Sequence, residues 1–456
     1  MMWVCRLLIV LIGSIAMTCP EFVNGQGVSS VAIDIEAAPI SYSKTPASNR
    51  VSRLIDRIES GQTKLKVDGS TGYLKSLLAE LDIPISTQTL VFSKTSLQVR
   101  YISRRNPRAI YFNDDTYVGW VRGSPIMEIS TFDPMLGAAF YTVNAEPERS
   151  FGEKLPKRLP HITQATYDCL SCHATSMSQG VPGHVVRSVV PEFDGGIASQ
   201  RESFITDHTS PLEERWGGWY VTGRHGEMRH MGNTYLRGGH LDTVQNANRL
   251  SLRDEFDTYE YLTPYSDIVA LMVLEHQTQM HNTLTRADFT HRKRVFERAI
   301  DNPRDTSNDN SLSEQGQEWQ AELRLLAREV VDALLFHEEA EFKNEIKGSI
   351  TFSSEFVQRG VADSQGRSLR EFDLQTRMFK YPCSYLVHSA AFAALQPELR
   401  GAVMSELGRV LSSDTTPDRY PHLDASVRDA IKTILRETEP ELTVDWQFAE
   451  TLDGTS

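Results

Sequence analysis

The feature that most narrows the folds open to this chain is a series of six short β-branched and aromatic runs between Ile83 and Asn144. They are Thr89–Phe92, Leu97–Ile102, Ala109–Phe112, Tyr117–Val121, Ile126–Ile129 and Ala139–Val143, parted by Asn-Pro, Asp-Asp, Gly-Ser and Asp-Pro turn signals. Runs this short with turns this tight pair as antiparallel neighbours, because parallel strands need long crossovers. Two helices are predicted before them. Asn49 is placed to cap the first, which carries Val51, Leu54, Ile55 and Ile58 at helical spacing; Ser70 opens the second, with Leu74, Leu77, Leu78 and Leu81.

Residues 145–260 show little periodicity but much Gly, His, Arg and Trp. Long irregular stretches in a compact protein are usually functional or wrapped around something. From Pro264 onward helical spacing dominates. Ser266 to His281 is apolar nearly all round, which predicts a buried helix. Asp301 to Gln315 is a polar break; Trp319, Leu323, Leu326, Val330 and Leu334 then mark a long amphipathic helix. A last helix carries Leu423, Val427, Ala430, Ile431, Ile434 and Leu435, with Asp424 or Ser426 near its cap. The expected fold is α+β, mainly α: an N-terminal antiparallel sheet region, an irregular middle segment and a C-terminal helical region.

The chain has 456 residues, 40% apolar and 23% charged, enough to bury a sizeable core across several domains. Sixty acidic against 47 basic residues give a net charge of −13, which argues against a nucleic-acid partner. Arg6, the short apolar run Leu7–Met17 and the small-residue site Val23-Asn24-Gly25 read as a signal peptide over residues 1–25, removed on export. The run is too short to span a bilayer as a helix, although a retained anchor is the alternative. Ala16-Met17-Thr18 before Cys19 is a poor match to a lipoprotein signal. The expected division is a linker over 26–45, an α+β region over 46–150, a cofactor-binding region over 151–300, a polar linker over 301–315 and a helical region over 316–456.

Export reduces five cysteines to three, Cys169, Cys172 and Cys383, too few for a disulfide-built fold. Two of them stand in Cys169-Leu170-Ser171-Cys172-His173, which is C-x-x-C-H, the attachment pattern of c-type haem. Two thiols three residues apart on a helical turn reach the two vinyl groups of one porphyrin, and the next residue sets an imidazole under the iron as proximal ligand. Asp168 is placed to cap that helix. A mixed Cys/His zinc site, a thiol–disulfide pair and a chance match are the competing readings.

The opposite iron ligand stays open. Met177 is four residues past His173, on the same helix and hence on the same side. Met228 and Met231 lie about 60 residues beyond the histidine, the usual separation for a ligand methionine in small cytochromes, in a loop that also holds His225 and His230. Met231 is the tentative distal ligand and His230 the alternative; an open iron with these histidines as acid–base groups is the third reading. Seven of the 13 histidines fall between His161 and His240. Trp216-Gly217-Gly218-Trp219-Tyr220 offers flat walls for a porphyrin, or ordinary core aromatics. None of Arg201, Arg215, Arg224 and Arg229 is singled out as a propionate partner. His276 and Met280 share a helix face, where core packing is expected, and Cys383 reads as a small core residue.

Cys169, Cys172, His173 and Met231 resemble the haem-binding set of c-type cytochromes, and Trp216–Tyr220, Arg229–Asn233 and Tyr381–Leu386 resemble large exported bacterial proteins that carry a cytochrome c domain. The resemblance implies one covalent haem c at Cys169 and Cys172, iron held by His173, and single-electron transfer to a redox partner protein. It further implies a periplasmic location with no stable membrane insertion once the signal is gone. A haem enzyme with an open distal iron, and a zinc or structural Cys/His module, are the alternatives. About 170 residues precede the motif, so a fold other than that of a small cytochrome is expected to carry it.

Overall fold

The computed structural model describes residues 33–145, 160–241, 243, 246–301, 314–444 and 446. The proposed signal at 1–25 and most of the polar stretch 301–315 lie outside them. Within the stretch 26–45, Ile40 and Tyr42 are buried, and the Tyr42 hydroxyl donates to the Ala138 carbonyl at 2.8 Å.

The chain is α+β, as its patterning predicts. Helix α1 (Arg50–Glu59) starts where Asn49 accepts from the Val51 and Ser52 amides, and it buries Val51, Leu54 and Ile58. Each such side chain contributes about 1.5–3 kcal/mol on leaving water. Helix α2 (Leu74–Glu80) begins four residues later than Ser70 predicts. A 3-10 turn over Gly69–Thr71 comes first, and Gly72 at φ +58° breaks the path into the helix.

Five strands then run antiparallel: β1 (Thr89–Val91), β2 (Arg108–Phe112), β3 (Thr116–Trp120), β4 (Ile126–Asp133) and β5 (Gly137–Asn144). The expected strand Leu97–Ile102 is a set of turns instead. Leu97, Val99 and Tyr101 are exposed there, whereas Gln98 is buried and donates to the Ile126 carbonyl at 2.6 Å. An internal polar anchor outweighs β propensity in that segment. Two short strands from the middle region complete the sheet, β6 (Ile162–Gln164) beside β5 and β9 (Trp219–Tyr220) beside β1. A separate pair, β7 (Arg187–Val189) and β8 (Ser203–Ile205), lies between them in sequence.

The two faces of the sheet have different neighbours. Ala109, Tyr111, Val118, Trp120, Met127, Ile129, Ala139, Tyr141 and Val143 share a core with α1 and α2. The alternate residues, among them Arg108, Ile110, Tyr117, Gly119, Glu128, Ser130 and Phe140, look the other way, toward the middle segment and helix α4 (Ile268–Asp301). Along β4 the alternation is strict, with Met127, Ile129 and Thr131 buried and Ile126, Glu128, Ser130 and Phe132 half-buried.

Helix α4 is buried almost all round over Ile268–His281, as its composition predicts. Asp267 caps it, accepting from the Val269 and Ala270 amides at 2.9 and 3.0 Å. Around it pack α5 (Glu314–Leu334), α6 (Ile350–Gln358) and α7 (Ala390–Ala393), with α8 (Pro397–Leu411) and α9 (Ala425–Thr438) beyond. Asp424 caps α9, and Cys383 is fully buried in this helical core. Among the described residues no helix is long and apolar enough to cross a membrane.

Candidate functional site

Cys169, Cys172 and His173 lie on α3 (Tyr167–His173), a seven-residue helix. Asp168 falls in its first turn rather than at its cap, which is Thr166 without a side-chain bond. A helix this short has no stability of its own, and none of its residues is buried. It is held from both ends. At the front, β6 pairs with β5; at the back, Gly183 donates its amide to the His173 carbonyl at 2.8 Å and Ser178 Oγ donates to the same carbonyl at 3.0 Å.

The decisive contact is made by the His173 ring. Its Nδ1 lies 2.9 Å from the Gly183 carbonyl oxygen, which can only accept, so Nδ1 carries the proton and Nε2 keeps a free lone pair. That is the tautomer a metal-ligating histidine needs, with a carbonyl fixing the ring from behind. The carbonyl is itself fixed: Asn282 on α4 accepts from the His184 amide at 2.8 Å and donates to the His184 carbonyl at 2.7 Å. Burial, foremost, pushes the His173 pKa down and keeps the ring neutral.

His173 and Cys169 line one cavity with about 670 Å³ of atom-free space, its open mouth included. The sheet supplies Arg108, Ile110, Tyr117, Gly119, Glu128, Ile129, Ser130, Phe140 and Tyr141; His184, Val185, Val186, Trp219 and the α4 residues Leu274 and Thr278 complete the walls. Phe140 packs on the His173 ring at 4.9 Å. Cys172 is exposed, and both cysteines are free thiols. Burial, then the Glu128 and Asp168 charges, pushes the Cys169 thiol up to about 11. An attacking redox thiol requires the opposite shift, so the geometry does not favour disulfide exchange.

A polar pair stands on the sheet face beside these residues. Arg108 Nη2 lies 2.7 Å from Glu128 Oε2, both side chains being mostly buried. The guanidinium lies across Gly119, where any Cβ would fall 2.2 Å from Nη2. Arg108 Nε is buried and has no hydrogen-bond partner among the described residues. Sequence reasoning missed Arg108, Gly119, Gly183 and Asn282. The legible signal was a glycine inside a strand, set between two charged residues on the neighbouring strands.

The other predicted residues lie apart from this cavity. Met231 is buried, with the Ser188 hydroxyl 3.7 Å from its sulphur, and it does not line the cavity; nor does His230. His230 Nδ1 accepts from the Gly232 amide at 3.0 Å, and its ring lies 5.3 Å from Trp216. His225 uses both ring nitrogens, Nδ1 donating to the Met228 carbonyl and Nε2 accepting from the Asn248 amide. Met177 is not on the same helix as His173, because α3 ends at His173 and Met177 sits in a separate 3-10 turn. Trp219 is a wall of the cavity, while Trp216 is wholly buried elsewhere in the core. Arg215 pairs with Glu275 at 3.1 Å, both buried. His276 is core, bonded through Nε2 to Ser384 Oγ at 2.8 Å.

No known family, curated protein or solved structure matches the chain. Among the described residues no group of three or more His, Cys, Asp and Glu side chains is disposed to hold a metal ion. A haem asks less of the protein, since its own four nitrogens occupy the iron's equatorial plane. The donor set fits that demand: a neutral imidazole with free Nε2, a cysteine in the same cavity, a second on the same helix, and largely apolar walls.

Proposed function

We propose that the chain is an exported mono-haem c-type cytochrome that transfers single electrons. Cys169 and Cys172 hold the haem through thioether bonds, and His173 is the proximal ligand. The observation that carries this reading is the Nδ1–H of His173 bonded to the Gly183 carbonyl beside the half-buried Cys169.

The haem supplies a one-electron iron couple. Everything else falls to the chain. Gly183 and Asn282 fix the imidazole, so the ligand does not reorient as charge changes. Ile110, Phe140, Val186, Trp219 and Leu274 give the cavity apolar walls, which lowers the reorganisation an electron must drive. The exposed Cys172 end of α3 is where a partner approaches. With a net charge of −13, a basic redox partner in the periplasm is favoured, without nucleic acid and without stable membrane insertion after signal removal.

Haem staining after denaturing electrophoresis tests the attachment, because only covalent haem survives denaturation. Wild-type protein from a host with haem-attachment machinery is expected to stain, and Cys169→Ala/Cys172→Ala is expected not to. Stain persisting in the double variant, or absent from the wild type, overturns the proposal.

A further inference from the structure

The cavity bears on what lies opposite His173, and the inference rests on the haem reading above. Among the described residues it is lined, besides His173, by one other imidazole, His184, and by no methionine. His184 is tied to the proximal side. Its neighbour Gly183 accepts the His173 Nδ1–H, and Nδ1 is turned away from Nε2, so the Gly183–His184 segment lies behind the ring, where Asn282 clamps it. A porphyrin held on Nε2 would then have the His184 backbone on its near side; the His184 ring meets Ser130 Oγ through Nε2. The two ligands expected from the sequence, Met231 and His230, do not line the cavity, and His225 has both nitrogens engaged. The segments outside the description from residue 146 onward contain no histidine, methionine or cysteine.

The sheet face offers a different kind of group. Arg108 lies across Gly119, is held by Glu128 through Nη2, and keeps its buried Nε without a partner among the described residues. It lines the same cavity as Cys169 and His173.

We infer that the coordination position opposite His173 is open to exogenous small anions, and that Arg108 is the residue that receives them. The ligand class is a compact anion that binds ferric iron through one end and accepts a hydrogen bond at the other, cyanide being the simplest probe. This adds ligand binding to electron transfer.

The test is an optical titration of haem-stained ferric holoprotein with cyanide, with carbon monoxide on the ferrous form as the uncharged control. The wild type is expected to be high-spin and to shift its Soret band with cyanide. Arg108→Met is expected to weaken cyanide by about tenfold or more, the value of one charge-assisted hydrogen bond, while carbon monoxide affinity changes far less. Arg108→Lys should recover part of the loss. Met231→Leu and His230→Asn should leave the spin state as it is. A stained wild type that is low-spin and inert to cyanide overturns the inference and leaves the haem reading intact, as does a Met231→Leu or His230→Asn protein that turns high-spin. Unchanged cyanide affinity in Arg108→Met removes Arg108 from the role. Protein without stain fails the haem reading itself, and this inference with it. The wild-type titration decides whether or not the variants accumulate.

Discussion

Gly119→Ala separates the position of Arg108 from its presence. The added Cβ would lie 2.2, 2.5 and 2.6 Å from Nη2, Nε and Cζ of Arg108, more than 1 Å inside an ordinary contact, so the guanidinium must leave β3. The side chain is long and can do so without moving backbone. What it loses is the 2.7 Å contact to Glu128 in a mostly buried setting, which costs about 1–3 kcal/mol. Alanine returns about 0.5–1 kcal/mol of chain entropy in a strand. The net expectation is a loss of about 1 kcal/mol in a urea titration, against at least a tenfold loss in cyanide affinity with covalent haem retained. A variant whose cyanide affinity equals that of the wild type while Arg108→Met is impaired would refute the packing argument, since Arg108 would then act without lying across Gly119.

Further predictions concern the supports of the site. Asp267→Ala removes the acceptor for the Val269, Ala270 and Ser349 amides at the start of α4, and leaving buried donors unmatched is expected to cost about 3 kcal/mol by urea unfolding; a loss under about 1 kcal/mol would mean water replaces the carboxylate. Burial pushes the Asp267 pKa up to about 6, so the folded state keeps its proton at pH values where the unfolded chain releases it. That contribution is present below the ordinary carboxylate pKa and is lost as pH rises through about 6; stability should fall by roughly 3 kcal/mol across that window relative to Asp267→Asn, and parallel pH profiles would contradict it. Asn282→Ala frees the Gly183–His184 backbone and should broaden the electron paramagnetic resonance of the ferric haem while the haem stain persists. In protein made without haem-attachment machinery, the α3 amides should exchange with deuterium far faster than those of β3 and β4, because α3 buries none of its residues.

How far the sequence reaches is clear from particular segments. Asn49 and Asp424 cap the helices whose apolar spacing follows them, since caps and periodicity are local signals. The run Ile126–Ile129 is an equally local signal, and β4 carries it on to Asp133 with alternating burial. Leu97–Ile102 reads as a strand from its side chains, yet the buried amide of Gln98 bends it into turns, and that partner is 28 residues away. The spacing of Cys169, Cys172 and His173 was legible because it is local. What orients His173 was not: Gly183 acts through a backbone carbonyl, and Asn282 is about a hundred residues further along. No spacing rule links such partners. Met231 is read from its separation along the chain and His230 from sharing the same loop, and neither signal says which side chains share a cavity.

The most direct measurement is the intact mass of the mature, denatured protein made in a host that attaches haem, read together with its Soret absorbance. The account predicts one species heavier than the polypeptide by a single haem, coloured in denaturant, and reduced to bare polypeptide mass by Cys169→Ala/Cys172→Ala. A colourless wild type at polypeptide mass would contradict it.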